Sequence, residues 1–532
     1  MAIFDDSSTA IRWHAEESWK DLRRVLWCMR RLRSRWVPYG VMVLLVVMAK
    51  NALSSAPSQQ DTLPQLYKEA QEAQQNGDYK AATRKYESIV KLRPEMAEAH
   101  ANLGLLYYQQ GLAEQATETF KNAIRLNPKL AGPYFFLGVL SFNARKYDDA
   151  SSYLEKAESL DPSNAAIRLY SGYNCYARAN YLEAVRHLEK AIATEGTDED
   201  AFYYLSKSYG HLSEQFFQEL HTTYRDSIYT DLARAHFYEA EQNWENAREE
   251  YSHALEKRPK SERLRQRLEW VTQKASGVGA SQLEGHHPEA EFIDGSIVFL
   301  YAPPSGGKIA EELQRYQHQV QSLGRQNDKS AEKLYGLAED YKVLSYLASL
   351  WVFETAPDSY RAHQLKAQYY ETIENDEGAV KEYRKTLELK PDLRSVHFSV
   401  GNLYWRRNRN EEALVELREE IKLDPNHPQA HYEIGDILYG QDKKADAEQH
   451  LREALRLEPS MVEAHLALER LYTSQNLVTK ALHHLNEAVR IAPDDPTPHY
   501  RLSVIYRKLG KIQEAQKEMQ LFEKAKALEK RR

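Results

Sequence analysis

Proline returns every 34 residues along much of this chain. It stands at Pro94, Pro128 and Pro162, and again at Pro357, Pro391, Pro425, Pro459 and Pro493. Alanine keeps the same step at Ala82, Ala116, Ala150 and Ala184, then at Ala379, Ala413, Ala447, Ala481 and Ala515. A third ladder is Gly104, Gly138 and Gly172, echoed by Gly401 and Gly435. Length alone, 532 residues, would suggest two or three ordinary domains. A fixed period of this size instead means a stack of like units, each burying one face on its neighbour.

The unit ending at Pro128 shows the physics. Residues 97–107 read as a first helix, with Leu103 and Tyr107 four apart on one face. Gly104 lets a second helix approach closely, and Gln110-Gly111 ends the first. Ala116, Phe120 and Ala123 form the inner stripe of the second helix. Asn127-Pro128 stops it, because the residue before proline avoids the helical region.

A 34-residue helix-turn-helix unit with these ladders resembles the tetratricopeptide repeat family. The resemblance covers most of residues 61–526. It implies an all-α fold, a right-handed superhelical solenoid of about twelve repeats in two arrays. Units end at Pro94, Pro128, Pro162, Gly196, Arg225 and Pro259, then at Pro357, Pro391, Pro425, Pro459 and Pro493, with a last one from Pro496 to about Leu528. Helix 262–275 caps or interrupts the first array. The expected organisation is residues 1–56 as a targeting region, 57–275 as the first array, 276–308 as an irregular insertion and 309–532 as the second array, closed by a capping helix.

An internal duplication is also visible. Residues 203–259 align with 335–391 at a constant offset of 132, pairing Tyr209 with Tyr341, Asp226 with Asp358 and Tyr251 with Tyr383. Both copies share an irregularity. Tyr107 to Pro128 spans 21 residues, whereas Tyr209 to Arg225 and Tyr341 to Pro357 span 16. Each lacks five residues where the inter-helix turn belongs, so each is expected to kink the array.

The N-terminal region reads as an export or anchor segment. Arg23, Arg24, Arg30, Arg31, Arg33 and Arg35 precede an apolar run from Trp36 to Ala49. The run is shorter than the roughly 20 residues of a spanning helix. A basic flank, a short apolar core and a small-residue end at Ser54-Ser55-Ala56 are the layout of a secretory signal peptide. It becomes compact if translation starts at Met29, a hypothesis that N-terminal sequencing finding residues 1–28 would overturn. The rival is one uncleaved anchor from Trp36 to about Leu53, with Lys50 snorkelling. Either reading places the arrays in the cell envelope, exported (periplasmic or extracytoplasmic) or membrane-anchored. Mean hydropathy of −0.69 excludes a multispanning chain.

Catalytic and metal motifs are thin. His363, His397, His431, His465 and His499 follow the repeat, so they stand about a helix pair apart and cannot share one metal. His286, His287, Glu289, Glu291 and Asp294 cluster in the insertion and could ligate a metal. Gly306-Gly307-Lys308 lacks the earlier Gly and the following Ser or Thr of a phosphate loop. No nucleophile elbow and no His-Glu-x-x-His occurs. Two cysteines, Cys28 and Cys175, cannot build a disulfide framework. A net charge of −7 leaves no nucleic-acid footprint.

The unusual number is 35 tyrosines against 14 Phe and 8 Trp. In the family that this chain resembles, first helices line an inner groove that holds peptides. Carried over by position, the groove residues are Ala101, Leu105 and Tyr108, then Phe135, Val139 and Phe142, then Leu169, Tyr173 and Tyr176. The second array supplies Phe398, Asn402, Trp405, Tyr432, Asp436, Tyr439 and Tyr500. Contiguous apolar surface would mark an interaction site. The opposing reading is that tight curvature packs these rings on one another. The Lys/Asn carboxylate clamp of chaperone-tail receptors is missing, since Asn102 stands alone.

The expectation is therefore a non-catalytic protein-interaction scaffold with a protein or peptide partner. No cofactor, nucleic acid or small molecule is expected, and membrane contact is confined to the N-terminal segment. The alternatives are an accessory subunit of an envelope assembly or secretion machine, and an enzyme or metal sensor using residues 276–308.

Overall fold

A computed structural model describes residues 59–195, 198–276, 309–325 and 330–529. The expected targeting region, and the insertion apart from Ser276, lie outside them. Among the described residues there are 24 helices and no strand. The chain divides into two compact units between Asn127 and Pro128.

The first unit holds α1 (Gln59–Gln75), α2 (Tyr79–Leu92), α3 (Ala97–Gln109) and α4 (Ala113–Leu126). Its core gathers Ala70, Ala82, Tyr86, Ile89, Leu103 and Leu106. Gly104 is required by contact: a Cβ there would come within 2.7 Å of the Phe120 ring. Asp78 caps α2 by accepting from the Ala81 N–H at 2.9 Å.

The second unit begins with α5 (Ala131–Asn143), α6 (Tyr147–Leu160), α7 (Ala165–Ala177) and α8 (Tyr181–Glu195). Then come α9 (Glu199–Thr223), α10 (Ile228–Ala240), α11 (Trp244–Lys257) and α12 (Glu262–Ala275). Beyond the insertion lie α13 (Ile309–Arg325), α14 (Ala331–Thr355), α15 (Tyr360–Thr372) and α16 (Asp376–Leu389). The last eight are α17 (Val396–Arg406), α18 (Asn410–Leu423), α19 (Pro428–Gly440), α20 (Lys444–Leu457), α21 (Val462–Ser474), α22 (Val478–Ile491), α23 (Pro496–Lys508) and α24 (Ile512–Glu529). The fold is all-α, a helical repeat solenoid.

The ladders read in the sequence have the expected jobs. Ala150, Ala184, Ala379, Ala413, Ala447 and Ala481 are fully buried. A Cβ on Gly138, Gly172, Gly401 or Gly435 would press on Leu154, Leu188, Leu417 or Leu451 at 2.7–2.8 Å. The residue before the repeat proline leaves the helical region, with φ −136 at Asp161, −139 at Lys390 and −134 at Glu458.

Among the described residues, ten helix pairs form hairpins whose turns each contain one residue at positive φ. These are Gly77, Gly111 and Gly510, but also Arg145, Ala179, Gln242, Glu374, Asn408, Asp442 and Asn476. The turn thus dictates a left-handed residue whether or not glycine is present.

The two shortened repeats are not hairpins. Without the turn there is nothing to break the helix, so each becomes one continuous rod of 25 residues, α9 and α14. The expected kink is a fusion. The rods pack on each other, since Phe202 stacks on Trp351 with centroids 3.8 Å apart and Phe216 on Tyr341 at 5.7 Å. Ser206 and Ser349 hydroxyls meet at 2.7 Å. As numbers rise along α9 they fall along α14, so the rods run antiparallel. One core cluster therefore joins residues from both sides of the insertion, from Tyr173 to Leu365.

Candidate functional site

In the first unit Ala101, Leu105 and Tyr108 are half-buried along α3. The rings expected in the next two first helices pack on two further tyrosines, Tyr170 and Tyr204. Phe135 meets Tyr170 edge-on at 5.6 Å, and Phe142 meets the same ring at 6.1 Å. Tyr173 lies 4.6 Å from Tyr204, and Tyr176 stands edge-on to Tyr204 at 5.2 Å. Val139 and Tyr173 are buried, so neither offers contact area; Phe135, Phe142, Leu169 and Tyr176 stay half-buried. Burial pushes the Tyr173 and Tyr176 hydroxyls well above the ordinary tyrosine range.

The hubs of this cluster, Tyr170 and Tyr204, fall one place outside the carried-over groove register. Their signal was nevertheless present, because Phe136, Tyr170 and Tyr204 are themselves 34 apart. Arg361, almost fully buried, lies over Tyr203 at 4.2 Å and Tyr360 at 4.9 Å. Its Nε donates to Asp200 at 2.5 Å, and the Tyr360 hydroxyl donates to the same carboxylate.

Beside this cluster opens a cleft of about 850 Å³. Its walls are Ala165 and Leu169 of α7, Ala191 and Ile192 of α8, and Trp351, Thr355 and Ala356 at the end of α14. Asp198, Glu199 and Asp200 line it where α9 begins. Asp198 caps α9 through the Ala201 N–H at 3.0 Å, and Asp200 is engaged by Arg361 and Tyr360. Glu199 Oε2 is buried without a hydrogen-bond partner. Of the expected groove residues, Leu169 alone lines this cleft. Trp351 and the acidic residues could not be placed there by sequence, because α14 enters through the antiparallel rod pairing.

The second array carries a more polar face. Phe398 packs on His427 at 4.6 Å, and Trp405 stands edge-on to Tyr432 at 6.1 Å. Tyr432 is buried, whereas Tyr500 is about half exposed. Asn402 donates to Glu433 at 2.7 Å, Arg470 donates to Asp436 at 2.5 Å, and the Arg470 guanidinium lies 5.8 Å from the Tyr439 ring. These bonds link successive repeats. Burial pushes Glu433 up to about 7, against the hydrogen bonds from Asn402 and Gln429.

The two arrays also touch through side chains. Arg145, at the α5–α6 turn, donates from Nε to the buried Asp424 at 2.6 Å, and Arg394 donates to the Asn143 carbonyl. Burial, then the Arg145 charge, holds the neighbouring His427 down to about 4. Cys175 is half-buried, and burial pushes its thiol up to about 11, which suits packing rather than nucleophilic chemistry. Among the described residues no group of three or more His, Cys, Asp or Glu could hold a metal. No described helix is long and apolar enough to cross a membrane. The expected anchor, and the His286 and His287 cluster, lie outside the described residues.

A family model described as tetratricopeptide repeat matches residues 67–131, 137–202, 400–461 and 433–496, and a second of the same description matches 360–393. The unmatched stretch between 202 and 360 contains α14 and all of α9 but its first four residues. Among solved structures, MamA is 21% identical, covering 31% of this chain and 97% of its own, with a TM-score of 0.30. YrrB, described as a TPR protein with an unusual peptide-binding site, is 17% identical over 34% and 92%, with a TM-score of 0.29. The APC/C hetero-tetramer Cut9-Hcn1 gives 13% identity over 89% and 95%, with a TM-score of 0.32. No curated protein matches the chain.

Proposed function

We infer that this chain, which belongs to the tetratricopeptide repeat family, is a non-catalytic scaffold that holds peptide segments of partner proteins. The observation that carries this reading is the cleft of about 850 Å³ beside the aromatic cluster. One side is apolar, with Leu169, Ile192 and Trp351; the other holds the carboxylates that begin α9. Such a surface suits an apolar side chain together with hydrogen-bond donors from a peptide. The walls are already fixed by the Phe202–Trp351 stack and the Asp200–Arg361 bond, so binding costs little reorganisation. The half-buried rings Phe135, Phe142 and Tyr176, and the face with Phe398, Trp405, Asp436 and Tyr439, extend the contact surface. The arginine-rich flank and the run from Trp36 to Ala49 support placement in the cell envelope.

The test is a peptide-display selection on the full chain. Peptides so selected should bind the Leu169→Ala, Ile192→Ala double variant at least tenfold more weakly, with the variant's helical signal unchanged. Selected peptides that bind both proteins equally would remove the cleft from the reading.

A further inference from the structure

The five periodic histidines share one arrangement with two different partners. Each points Nδ1 at the residue 19 places later, on the second helix of its own hairpin. In three hairpins that residue is glutamate: His363 meets Glu382 at 2.6 Å, and His397–Glu416 and His499–Glu518 meet at 2.7 Å. In the two hairpins between them it is a second histidine. His431 and His450 meet Nδ1 to Nδ1 at 3.0 Å, and His465 and His484 do the same.

The other ring nitrogen fixes the tautomer. His431 Nε2 lies 3.1 Å from the Pro425 carbonyl, and His465 Nε2 lies 3.2 Å from the Pro459 carbonyl. A carbonyl only accepts, so Nε2 carries the hydrogen and the neutral ring offers Nδ1 as an acceptor. His450 and His484 then donate from their own Nδ1. The centroids are 5.3 and 5.2 Å apart, a separation made up of the nitrogen–nitrogen distance and two ring radii. The two lone-pair directions therefore lie along one line. One hydrogen fits between the nitrogens, and a metal ion on that line would force them apart.

We propose that α19–α22 form an acid-sensitive element, because each of its two histidine pairs holds one shared hydrogen and rejects full protonation. A doubly charged pair would place two like charges 3.0 Å apart with no hydrogen-bond acceptor between them. The flanking hairpins place a glutamate oxygen where the second histidine stands, so no like-charge pair can form there.

The surrounding charges do not cancel this. Around His431 and His450 stand Arg418, Asp446, Glu453 and His427. Around His465 and His484 stand His483, Arg452, Glu487 and Arg490. Glu453 and Glu487 are hydrogen-bonded to Arg456 and Arg490. Burial, followed by the partner His465, holds His484 down to about 4, and burial lowers His450 and His465 as well. The sign follows. A folded-state value below the unfolded one means that the unfolded chain takes up protons first, so stability is lost as pH falls from about 6.5 towards 4.

α19 also carries Tyr432, Asp436 and Tyr439 of the expected contact surface. Acid release of a partner from that face would rest on the proposed function; loosening of the hairpins does not. The experiment is hydrogen exchange of the full chain at pH 7.5 and 5.0, read as protection factors. Residues 428–491 should lose at least tenfold more protection than the α15–α18 hairpins. The His450→Glu, His484→Glu variant, which gives these hairpins the partner that their neighbours use, should lose that difference. If it does not fold, His450→Gln, His484→Gln makes the same comparison without adding charge. Equal loss across all hairpins in the natural chain, or an unchanged difference in a folded variant, overturns the proposal.

Discussion

Tyr209 and Tyr341 occupy the same place in the two copies of a duplicated segment, and they meet each other, with ring centroids 5.9 Å apart where α9 crosses α14. Antiparallel rods of like sequence pack so that equivalent residues face across a local two-fold. The Tyr209 hydroxyl donates to Glu189 at 2.6 Å and accepts from Gln317 at 3.1 Å, which ties α8 and α13 to the crossing. The rod pair joins the two arrays inside one unit.

Tyr209 is fully buried, so Tyr209→Ala removes a ring and leaves Glu189 and Gln317 without their shared partner. The expected loss is about 3–5 kcal/mol. It should appear as an earlier denaturation transition of the second unit, followed by tryptophan fluorescence. A loss below about 1 kcal/mol would show that the rods do not depend on this contact.

The positive-φ turn predicts opposite signs for two small changes. Ala179 holds φ 57, and glycine would relieve the crowding of its Cβ. Ala179→Gly should stabilise by about 0.5 kcal/mol. Gly111 holds φ 74 with open space around it, so Gly111→Ala should destabilise by about 1 kcal/mol through backbone conformation alone. Thermal denaturation measures both, and the same sign for the two would refute the argument.

Arg145 and Asp424 are 279 residues apart, and the carboxylate is almost fully buried. Arg145→Ala strands that charge. A double-mutant cycle with Asp424→Asn should give a coupling of about 1–2 kcal/mol, discounted because Arg145 keeps partial exposure. Zero coupling would mean that this contact does not hold the arrays together.

Glu433 binds its proton more tightly in the folded chain, at about 7, than a free carboxyl does. The folded state therefore holds more protons than the unfolded one between about 4.5 and 7, and stability falls as pH rises through that window. Glu433→Gln should flatten this slope and gain about 2 kcal/mol at pH 8. An unchanged pH profile in urea titrations would show that the carboxyl titrates normally.

The repeat unit was legible because its determinants are local. Gly138 faces Leu154, and Gly172 faces Leu188, each 16 residues on within one hairpin. The histidine ladder was legible as structural for the same reason, although the change of partner from Glu416 to His450 gains meaning only from the ring geometry. The fate of the expected groove residues was not legible. Leu169 lies in the cleft, but Val139, Tyr173 and Tyr432 are covered by neighbours. Periodicity tells which helix face a ring occupies, not whether the next repeat closes over it.

The sequence by itself therefore determined the period, the helix ends, the small residues at each crossing and the two places where a turn is missing. All are set by chain stiffness and by contacts within one repeat. Only the tertiary structure decided that a missing turn becomes a rod, that the two rods pair antiparallel, and that Arg145 reaches Asp424. Those contacts join residues more than a hundred positions apart, and burial there depends on how many small repeat-to-repeat rotations accumulate, which no spacing in the sequence records.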